Sequence, residues 1–320
     1  MNSFGNIFRF TSFGESHGAA VGGVIDGCPA GITIDYNLIQ HQLDRRAGRI
    51  DNDLFTSSRA VSEHDQIEWL SGIYQGKSLG TPISFIIRNT NARSQDYSEI
   101  EHIFRPGHAD FTYQTKYGIH DPRGGGRASA RETVARVVAG SIAMQILRQQ
   151  GISIKARIVQ IGNNTQPEQW HDYVAQIARQ GDSIGGIVRC DINGLHAGIG
   201  EPIFDKLQAR LAYAILSINA CKGFDYGTGF EGAGLKGSES NQKSGGILGG
   251  ISDGKEISFR AVFKPAPSIS LPQQTIDDKG NRTEICIKGR HDVCFLPRVL
   301  PVVESMAALT IADLIMFNKK

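Results

Sequence analysis

The clearest helix in the chain lies in the stretch Ser129-Ala-Arg-Glu-Thr-Val-Ala-Arg-Val-Val-Ala-Gly-Ser-Ile-Ala-Met-Gln-Ile-Leu-Arg-Gln-Gln150, which Gly151 follows. Ser129 and Glu132 have the spacing of a capping box, which marks a helix start. Apolar side chains then recur every three to four residues, as they do on the buried face of a helix. The pattern predicts a buried helix over residues 129–150, against which the other elements pack.

Further helices and strands are predicted on both sides of this helix. Caps and apolar spacing predict helices from Asp35 to residue 46, from Glu201-Pro202 onward, and over 303–317. Alternating β-branched residues predict strands at 152–161, 185–191 and 256–263. The glycine-rich stretch 223–254 is typical of a loop with one short strand at most. Because no repeat or linker-like composition interrupts the chain, it is predicted to form a single α+β domain over residues 1–320.

The amino-acid composition argues against two classes of protein and shows an excess of glycine. Among 320 residues, 34 Lys and Arg face 32 Asp and Glu, so the net charge of +2 argues against nucleic-acid binding. Hydrophobic residues make up 40% of the chain, which argues against general disorder. The 38 glycines are about 12% of the chain against a usual value of roughly 7%. This excess predicts tight loops where the backbone approaches another group closely.

Cysteine usage and the N-terminus indicate a cytoplasmic protein. The five cysteines are odd in number and contain no C-x-x-C pair, which predicts neither a disulfide framework nor a zinc ribbon. Arg9, Glu15 and His17 interrupt the N-terminus before a signal-like apolar core forms, and no continuous apolar run approaches 18 residues. The nine histidines include no i, i+4 metal pair, so neither a membrane nor a metal partner is predicted.

Residues that suit acid–base chemistry and anion binding concentrate in glycine-rich segments. Three segments stand out: Gly14-Glu-Ser-His-Gly18, Arg105-Pro-Gly-His-Ala-Asp110, and Asp121-Pro-Arg-Gly-Gly-Gly-Arg-Ala-Ser-Ala-Arg131. From residue 105 to 131, five Lys or Arg and two His stand against two Asp. The glycine loop leads directly into the predicted helix start, where free N–H groups and the helix dipole favour a phosphate or carboxylate. The alternatives are arginines that are merely solvated and a His17 satisfied by a local hydrogen bond.

Other motifs give weaker evidence about function. The G-x-G-x-x-G spacing of Gly227-Thr-Gly-Phe-Glu-Gly232 is not followed by a convincing helix, and no Walker A sequence is present. Charged clusters at Arg45-Arg46 and at Lys288-Gly-Arg-His-Asp292 resemble the glycine-loop cluster, but either alone is more typical of an exposed face. The residues therefore predict an enzyme for a small polyanionic substrate and do not name its reaction.

Taken together, these segments resemble the chorismate synthase family over nearly the whole chain. The resemblance is carried by Gly14-Glu-Ser-His-Gly18 through Asp26-Gly27-Cys28-Pro29, Gly126-Arg-Ala-Ser-Ala-Arg-Glu-Thr133, Arg290-His-Asp292 through Pro301-Val-Val-Glu304, Arg105-Pro-Gly-His-Ala-Asp110, Asn219-Ala220 and Gly245-Gly-Ile-Leu-Gly-Gly250. It implies a lyase that removes phosphate from 5-enolpyruvylshikimate 3-phosphate by anti-1,4-elimination, giving chorismate at the end of the shikimate pathway of aromatic amino acid biosynthesis.

The resemblance also implies a cofactor, partners and a fold. The cofactor is reduced FMN, which is thought to lend an electron transiently as phosphate departs. An external flavin reductase, with NADPH as an indirect reductant, would supply it. The implied architecture is a helical layer between antiparallel sheets, assembled as a homotetramer. The alternative from another functional class is a non-catalytic paralogue that binds a flavin or a phosphorylated metabolite.

Roles follow residue by residue from the same resemblance. His17 would protonate the reduced flavin, His108 would lie beside the leaving phosphate, and Asp292 would assist the flavin N5 in removing the C6 proton. Substrate would be bound by Arg45, Arg46, Ser129 and Arg131. FMN would contact Arg127, Ala128, Ser129, Asn219, Ala220, Gly249, Lys264, Pro265, Ala266, Pro267, Ser268 and Arg290. Ala128 and Ala266 depart from the hydroxyl residues that are usual in the family.

Overall fold

The computed structural model describes residues 1–50, 65–90, 101–287 and 292–318. Its helices are α1 (Tyr36–Ala47), α2 (Asp110–Tyr117), α3 (Thr133–Arg148), α4 (Trp170–Arg179), α5 (Leu207–Leu216), α6 (Gly237–Ser240) and α7 (Leu296–Asn318). Short 3₁₀ helices occupy Gly126–Ala128, Ala130–Glu132, Pro167–Gln169 and Gly229–Gly234.

The strands form two main antiparallel sheets and three two-stranded ribbons. The strands are β1 (Ser3–Phe4), β2 (Arg9–Gly14), β3 (Ala20–Asp26), β4 (Ile67–Ser71), β5 (Ile73–Tyr74), β6 (Lys77–Ser78), β7 (Ile83–Arg88), β8 (Ser153–Ile161), β9 (Gly186–Asn193), β10 (Cys221–Tyr226), β11 (Ile247–Leu248), β12 (Ile251–Ser252), β13 (Ile257–Phe263), β14 (Gln273–Ile276) and β15 (Arg282–Ile285). The first sheet has the order β1-β2-β3-β7-β4 and the second has the order β10-β13-β9-β8.

The helices α1, α3, α5 and α7 form a layer that packs on both sheets. Helix α3 contacts β2 and β3 of the first sheet, and α7 contacts β8 and β9 of the second. A single hydrophobic cluster includes buried residues of both sheets and of the helices between them. The predicted α+β architecture, a helical layer between antiparallel sheets, is therefore confirmed.

Helices α3 and α7 cross at Gly140. A Cβ at Gly140 would lie 2.2 Å from the Cβ of Ser305, so only glycine lets the two backbones approach this closely. The hydroxyl of Ser305 donates to the carbonyl of Pro301 at 2.6 Å, which satisfies a polar group with no solvent exposure. This close crossing offsets the roughly 1 kcal/mol that glycine costs inside a helix.

Two buried carboxylates on α7 connect the helical layer to the sheets. Glu304 pairs with Arg45 of α1 and accepts from the N–H of Ala156 on β8 at 2.9 Å. Asp313 pairs with Arg210 of α5 at 3.0 Å and accepts from three consecutive N–H groups, those of residues 6–8 before β2. Because a buried charge must be paired and hydrogen-bonded, these contacts define where α7 lies.

Several element boundaries differ from the sequence predictions. The predicted helix at 129–150 begins as a 3₁₀ turn, and α3 proper starts at residue 133. The helix predicted to open at Glu201-Pro202 begins at Leu207, and the last helix begins at Leu296 rather than residue 303 and contains Pro301. The stretch 223–254 holds more than a loop, since most of β10, α6, β11 and β12 lie in it.

Helix α7 is the one helix in the described ranges that is long and apolar enough to cross a membrane. Its most apolar window is 89% buried inside the protein, as is typical of the core helix of a globular protein. All five cysteines lie in the described part of the chain, and none of them forms a disulfide. Burial raises the pKa of the Cys28 and Cys294 thiols to about 11, so both are thiols at neutral pH.

Candidate active site

The glycine loop before α3 brings three functional side chains together. Gly124, Gly125 and Gly126 all have left-handed backbone conformations, with φ of 63°, 93° and 52°. A Cβ at Gly124 would lie 1.9 Å from Cε1 of His17, and one at Gly125 would lie 2.7 Å from Nε2 of His108. A Cβ at Gly126 would lie 2.6 Å from a carboxylate oxygen of Glu15. The loop thus needs glycine for its conformation and for the close packing of these groups.

His17 lies in a tight turn between β2 and β3. The N–H of Gly18 donates to the carbonyl of Glu15 at 3.0 Å, which closes the turn around the histidine. The His17 Nδ1 lies 3.2 Å from the Ser16 hydroxyl. The side-chain amide of Asn89, just beyond β7, donates to the carbonyls of Glu15 and Gly18 at 2.9 and 2.8 Å. The turn is therefore held from inside and from the neighbouring strand.

His108 belongs to a buried network with Asp110 and Arg105. The His108 Nδ1 lies 2.6 Å from Asp110 Oδ1, and Arg105 makes two side-chain hydrogen bonds to the same carboxylate at 2.7 and 2.8 Å. Burial opposes ionisation of Asp110, but the hydrogen bonds from His108 and Arg105 outweigh it and hold the pKa of that carboxyl well below its usual value. Asp110 is therefore ionised at neutral pH and can only accept a hydrogen bond, so the proton of the neutral ring is on Nδ1. This leaves Nε2 facing Gly125.

Arg46 and Arg131 share one buried carboxylate, that of Asp65, which is 1% exposed. Arg131 reaches Asp65 at 2.5 Å and Arg46 reaches it at 3.4 Å. The other nitrogens of Arg131 donate to Asn89 Oδ1 at 3.0 Å and to the carbonyl of Arg88 at 3.3 Å. Both guanidinium groups are thus oriented by the ends of β4 and β7 and by the start of α3.

Asp292 connects to this arginine cluster through Arg298. The Arg298 guanidinium forms an ion pair with Asp292 and donates to the carbonyl of Arg46 at 3.1 Å. A continuous series of contacts therefore leads from Asp292 to the turn of His17 through Arg298, Arg46, Asp65, Arg131 and Asn89. From this turn it continues across the glycine loop to His108. All three residues predicted as catalytic lie in this network.

Arg45 does not join the network. Its guanidinium is held by Glu304 through two hydrogen bonds, and by the side chain of Gln42 at 2.7 Å, within the helical layer. Ser129 caps the 3₁₀ helix Ala130–Glu132 that precedes α3, and its hydroxyl accepts from the N–H of Arg131 at 3.2 Å.

Three separate segments predicted to bind FMN are hydrogen-bonded to one another beside the glycine loop. Asn219 donates to the carbonyl of Ala128 at 2.7 Å, and the N–H of Lys264 donates to the carbonyl of Ala220 at 3.0 Å. The Lys264 ammonium donates to the carbonyl of Gly107 at 2.5 Å, which brings this lysine next to the segment of His108. Burial, with repulsion from Lys222, lowers the pKa of Lys264.

The remaining residues predicted to bind FMN make contacts in different parts of the fold. Arg127 reaches back to β2, where it donates to the Ser12 hydroxyl at 2.6 Å, and Ala266 accepts from the Ser183 hydroxyl at 2.7 Å. A Cβ at Gly107 would lie 3.5 Å from the Cβ of Pro267, and Pro265 and Ser268 flank Ala266-Pro267 in the sequence. Gly249 lies at the turn of the β11–β12 ribbon, with no atom within 4 Å of where its Cβ would be. Arg290 lies outside the described residues.

Asp65 and Asn89 are the connecting residues that sequence reasoning missed. Neither lies in a segment rich in glycine, histidine and arginine. Asp65 lies two residues before β4 and Asn89 directly after β7, so their positions become informative only once the first sheet is known. Among the described residues, no group of three His, Cys, Asp or Glu side chains could hold a metal ion.

Comparisons with known proteins show the family of this chain. The family model described as chorismate synthase matches residues 8–316. A chorismate synthase of Azobacteroides pseudotrichonymphae is 48% identical over 99% of this chain and 100% of its own length, and one of Parabacteroides distasonis is 47% identical over 100% and 99%. A solved structure described as "Crystal Structure of Chorismate Synthase" has a TM-score of 0.74 and 26% identity, and covers 98% of this chain and 93% of its own. This chain belongs to the chorismate synthase family.

Proposed function

We propose that this protein removes phosphate from 5-enolpyruvylshikimate 3-phosphate by anti-1,4-elimination and releases chorismate, with reduced FMN as its cofactor. The observation that carries the proposal is the convergence of His17 and His108 on adjacent glycines of one loop, seven and six residues before Arg131. Two imidazoles and a cluster of arginines suit a reaction in which a proton moves and a phosphate leaves.

Arg46 and Arg131 are proposed to bind the anionic groups of the substrate. The substrate carries two carboxylates and a phosphate, and the planar guanidinium is the side chain best suited to such groups. Asp65 supports this role because it orients both guanidinium groups before substrate arrives. Ser129 is proposed to assist at the same helix start. Arg45 is proposed as a weaker contributor, since Glu304 and Gln42 hold its guanidinium within the helical layer.

His108 is proposed to act beside the leaving phosphate. Its Nδ1 is committed to Asp110, so its Nε2 is the atom that can interact with a phosphate oxygen. Protonation of Nε2 would add a charge-assisted hydrogen bond as negative charge develops on that oxygen, and the Asp110 carboxylate would stabilise the imidazolium. His17, held in its turn beside Gly124, is proposed as the second proton carrier.

Asp292 is proposed to accept a proton from the reaction centre. Its ion pair with Arg298 orients the carboxylate. Arg298 also donates to the backbone carbonyl of Arg46, an arginine proposed to bind substrate, which supports this role. The alternative is a purely structural ion pair.

The residues beside the glycine loop fit a flavin phosphate and ring. The donor set includes the Lys264 ammonium, the Asn219 amide and backbone N–H groups near the glycine loop, which suits a group that carries a phosphate and several ring acceptors. Residues 127–129, 219–220 and 264–268, with Gly249 and Arg290, are proposed to hold it. When bound, reduced FMN supplies the transient electron that the departure of phosphate needs, without net redox change.

The domain organisation, location, assembly and flavin supply are proposed from the resemblance to the same family. Residues 1–320 are proposed to form one domain, which the continuous hydrophobic cluster supports. The protein is proposed to be a cytoplasmic homotetramer that receives reduced FMN from an external flavin reductase, with NADPH as the indirect reductant.

An anaerobic assay tests the proposal. Purified protein is mixed with 5-enolpyruvylshikimate 3-phosphate and chemically reduced FMN, and both inorganic phosphate and chorismate are measured. We expect equal amounts of both products, and neither with oxidised FMN under air. Tight binding of flavin or substrate without release of phosphate would instead identify a non-catalytic paralogue.

A further inference from the structure

Asn89 lies between two parts of the site that are distant in sequence. Its Nδ2 donates to the carbonyls of Glu15 and Gly18 at 2.9 and 2.8 Å, which are the two ends of the turn that carries His17. Its Oδ1 accepts from Arg131 Nε at 3.0 Å. Carbonyl oxygens only accept and a guanidinium only donates, so one orientation of the amide satisfies all three contacts.

The backbone of Asn89 strengthens this connection. Its N–H donates to the carbonyl of Ala19 at 3.1 Å, directly after the turn. The side chain therefore projects from a fixed point at the end of β7, where neighbouring strands of the first sheet are already in register. Rotation of the amide would break contacts to the turn and to Arg131 at the same time.

We propose that Asn89 is a positioning residue that sets the distance between the His17 imidazole and the anion bound by Arg131. This inference rests on the proposed function, in which both side chains face one substrate. The amide fixes Arg131 Nε on one side and the His17 turn on the other. Removing it breaks this link, so the turn, closed by its own hydrogen bond, and the guanidinium, still paired with Asp65, can shift relative to each other. Such a shift misplaces an acid–base group relative to a bound anion.

A merely structural role predicts a different result from substitution. If Asn89 only stabilised the end of β7, Asn89→Ala would lower the melting temperature and leave the folded enzyme nearly as active. A suitable control is Asn164→Ala, because Asn164 also braces a turn with both ends of its amide, to Gln166 N–H and to Gln169, far from the glycine loop in sequence and contacts.

The experiment is a double-mutant cycle between Asn89→Ala and Arg131→Ala, with substrate Kd, kcat and KM measured anaerobically. We expect Asn89→Ala alone to lower kcat about 10- to 100-fold. We expect Arg131→Ala to raise the substrate Kd at least tenfold in the wild-type background but less than threefold in the Asn89→Ala background. Asn164→Ala should leave kcat and Kd within about twofold of wild type.

The inference is overturned if the two substitutions change the substrate Kd by independent factors that simply multiply in the double variant. It is also overturned if the kcat of Asn89→Ala equals that of Asn164→Ala. If Asn89→Ala does not fold, the cycle is run with Asn89→Gln, which keeps the amide but moves it by one methylene and is expected to restore folding with kcat still lowered. Wild-type turnover is measured first. Absence of turnover there refutes the proposed function, whereas normal turnover with an uncoupled cycle refutes only the role of Asn89.

Discussion

Substituting Gly124 by alanine tests how the glycine loop holds His17. The new Cβ would lie 1.9 Å from the His17 Cε1, whereas nonbonded carbons normally stay about 3.5 Å apart, so the ring must retreat by roughly 1.5 Å. A displacement of 1 Å in a catalytic group costs about 10²-fold in rate. Gly124→Ala should therefore lower kcat at least about 100-fold. The left-handed φ adds a destabilisation of about 1–2 kcal/mol.

Gly151→Ala separates this steric effect from backbone strain. Gly151 also has a left-handed φ, of 75°, but nothing lies within 4 Å of its Cβ position. Both variants should lose about 1–2 kcal/mol of unfolding free energy in urea titrations. Only Gly124→Ala should lose turnover in the anaerobic phosphate-release assay. Equal turnover in the two variants would refute the conclusion that the loop holds His17.

Three further predictions concern the charged groups of the site. Arg131→Ala should weaken substrate binding by about 1.5 to 3 kcal/mol, and a Kd unchanged within twofold would contradict its assignment. Asp292→Asn should keep FMN and substrate binding but lower single-turnover phosphate release about 10²- to 10⁴-fold; release at the wild-type rate would leave only a structural pair with Arg298. The pKa of Asp110 in the folded protein lies below its unfolded value of about 3.9. The ionised carboxylate therefore contributes fully to the free energy of unfolding above about pH 3.9, and this contribution is lost as the pH falls toward the folded pKa. The stability gap between wild type and Asp110→Asn should therefore narrow below about pH 4 in urea titrations, and a gap independent of pH would exclude this linkage.

Three of the four strands of the second sheet, β8, β9 and β13, were predicted from the sequence, and the strands of the first sheet were not. In β9 and β13, buried and less buried residues alternate, and this alternation is visible in the sequence. Strand β3 contains Gly22 and Gly23, which weaken the strand signal. Their lack of side chains is required by packing, because a Cβ at Gly23 would lie 2.4 Å from the Phe10 ring and one at Gly22 would lie 2.4 Å from the Phe85 carbonyl.

Helix ends were shifted by contacts that no local pattern reveals. The Ser129 hydroxyl accepts from the N–H of Arg131, two residues on, and the Glu132 carboxylate pairs with Arg136 instead of closing a capping box. Pro301 lies inside α7 although proline usually disrupts a helix. Burial of most side chains of α7 outweighs the one backbone hydrogen bond that this proline removes.

The site was predictable only as separate segments. Sequence composition marks the segments of His17, His108 and the glycine loop, because glycine, histidine and arginine concentrate there. Which residues connect them depends on how strands β4 and β7 end beside α3, so Asp65 and Asn89 become recognisable only in the folded chain.

A crystal structure of the protein with 5-enolpyruvylshikimate 3-phosphate and FMN tests the central claim most directly, namely that the loop of Gly124 to Gly126 assembles one reaction centre. We predict the substrate phosphate within hydrogen-bond distance of His108 Nε2, a substrate anion on Arg131, and the flavin along residues 127–129, 219–220 and 264–268. A substrate bound away from both His108 and Arg131, or a flavin that contacts none of these three segments, would contradict it.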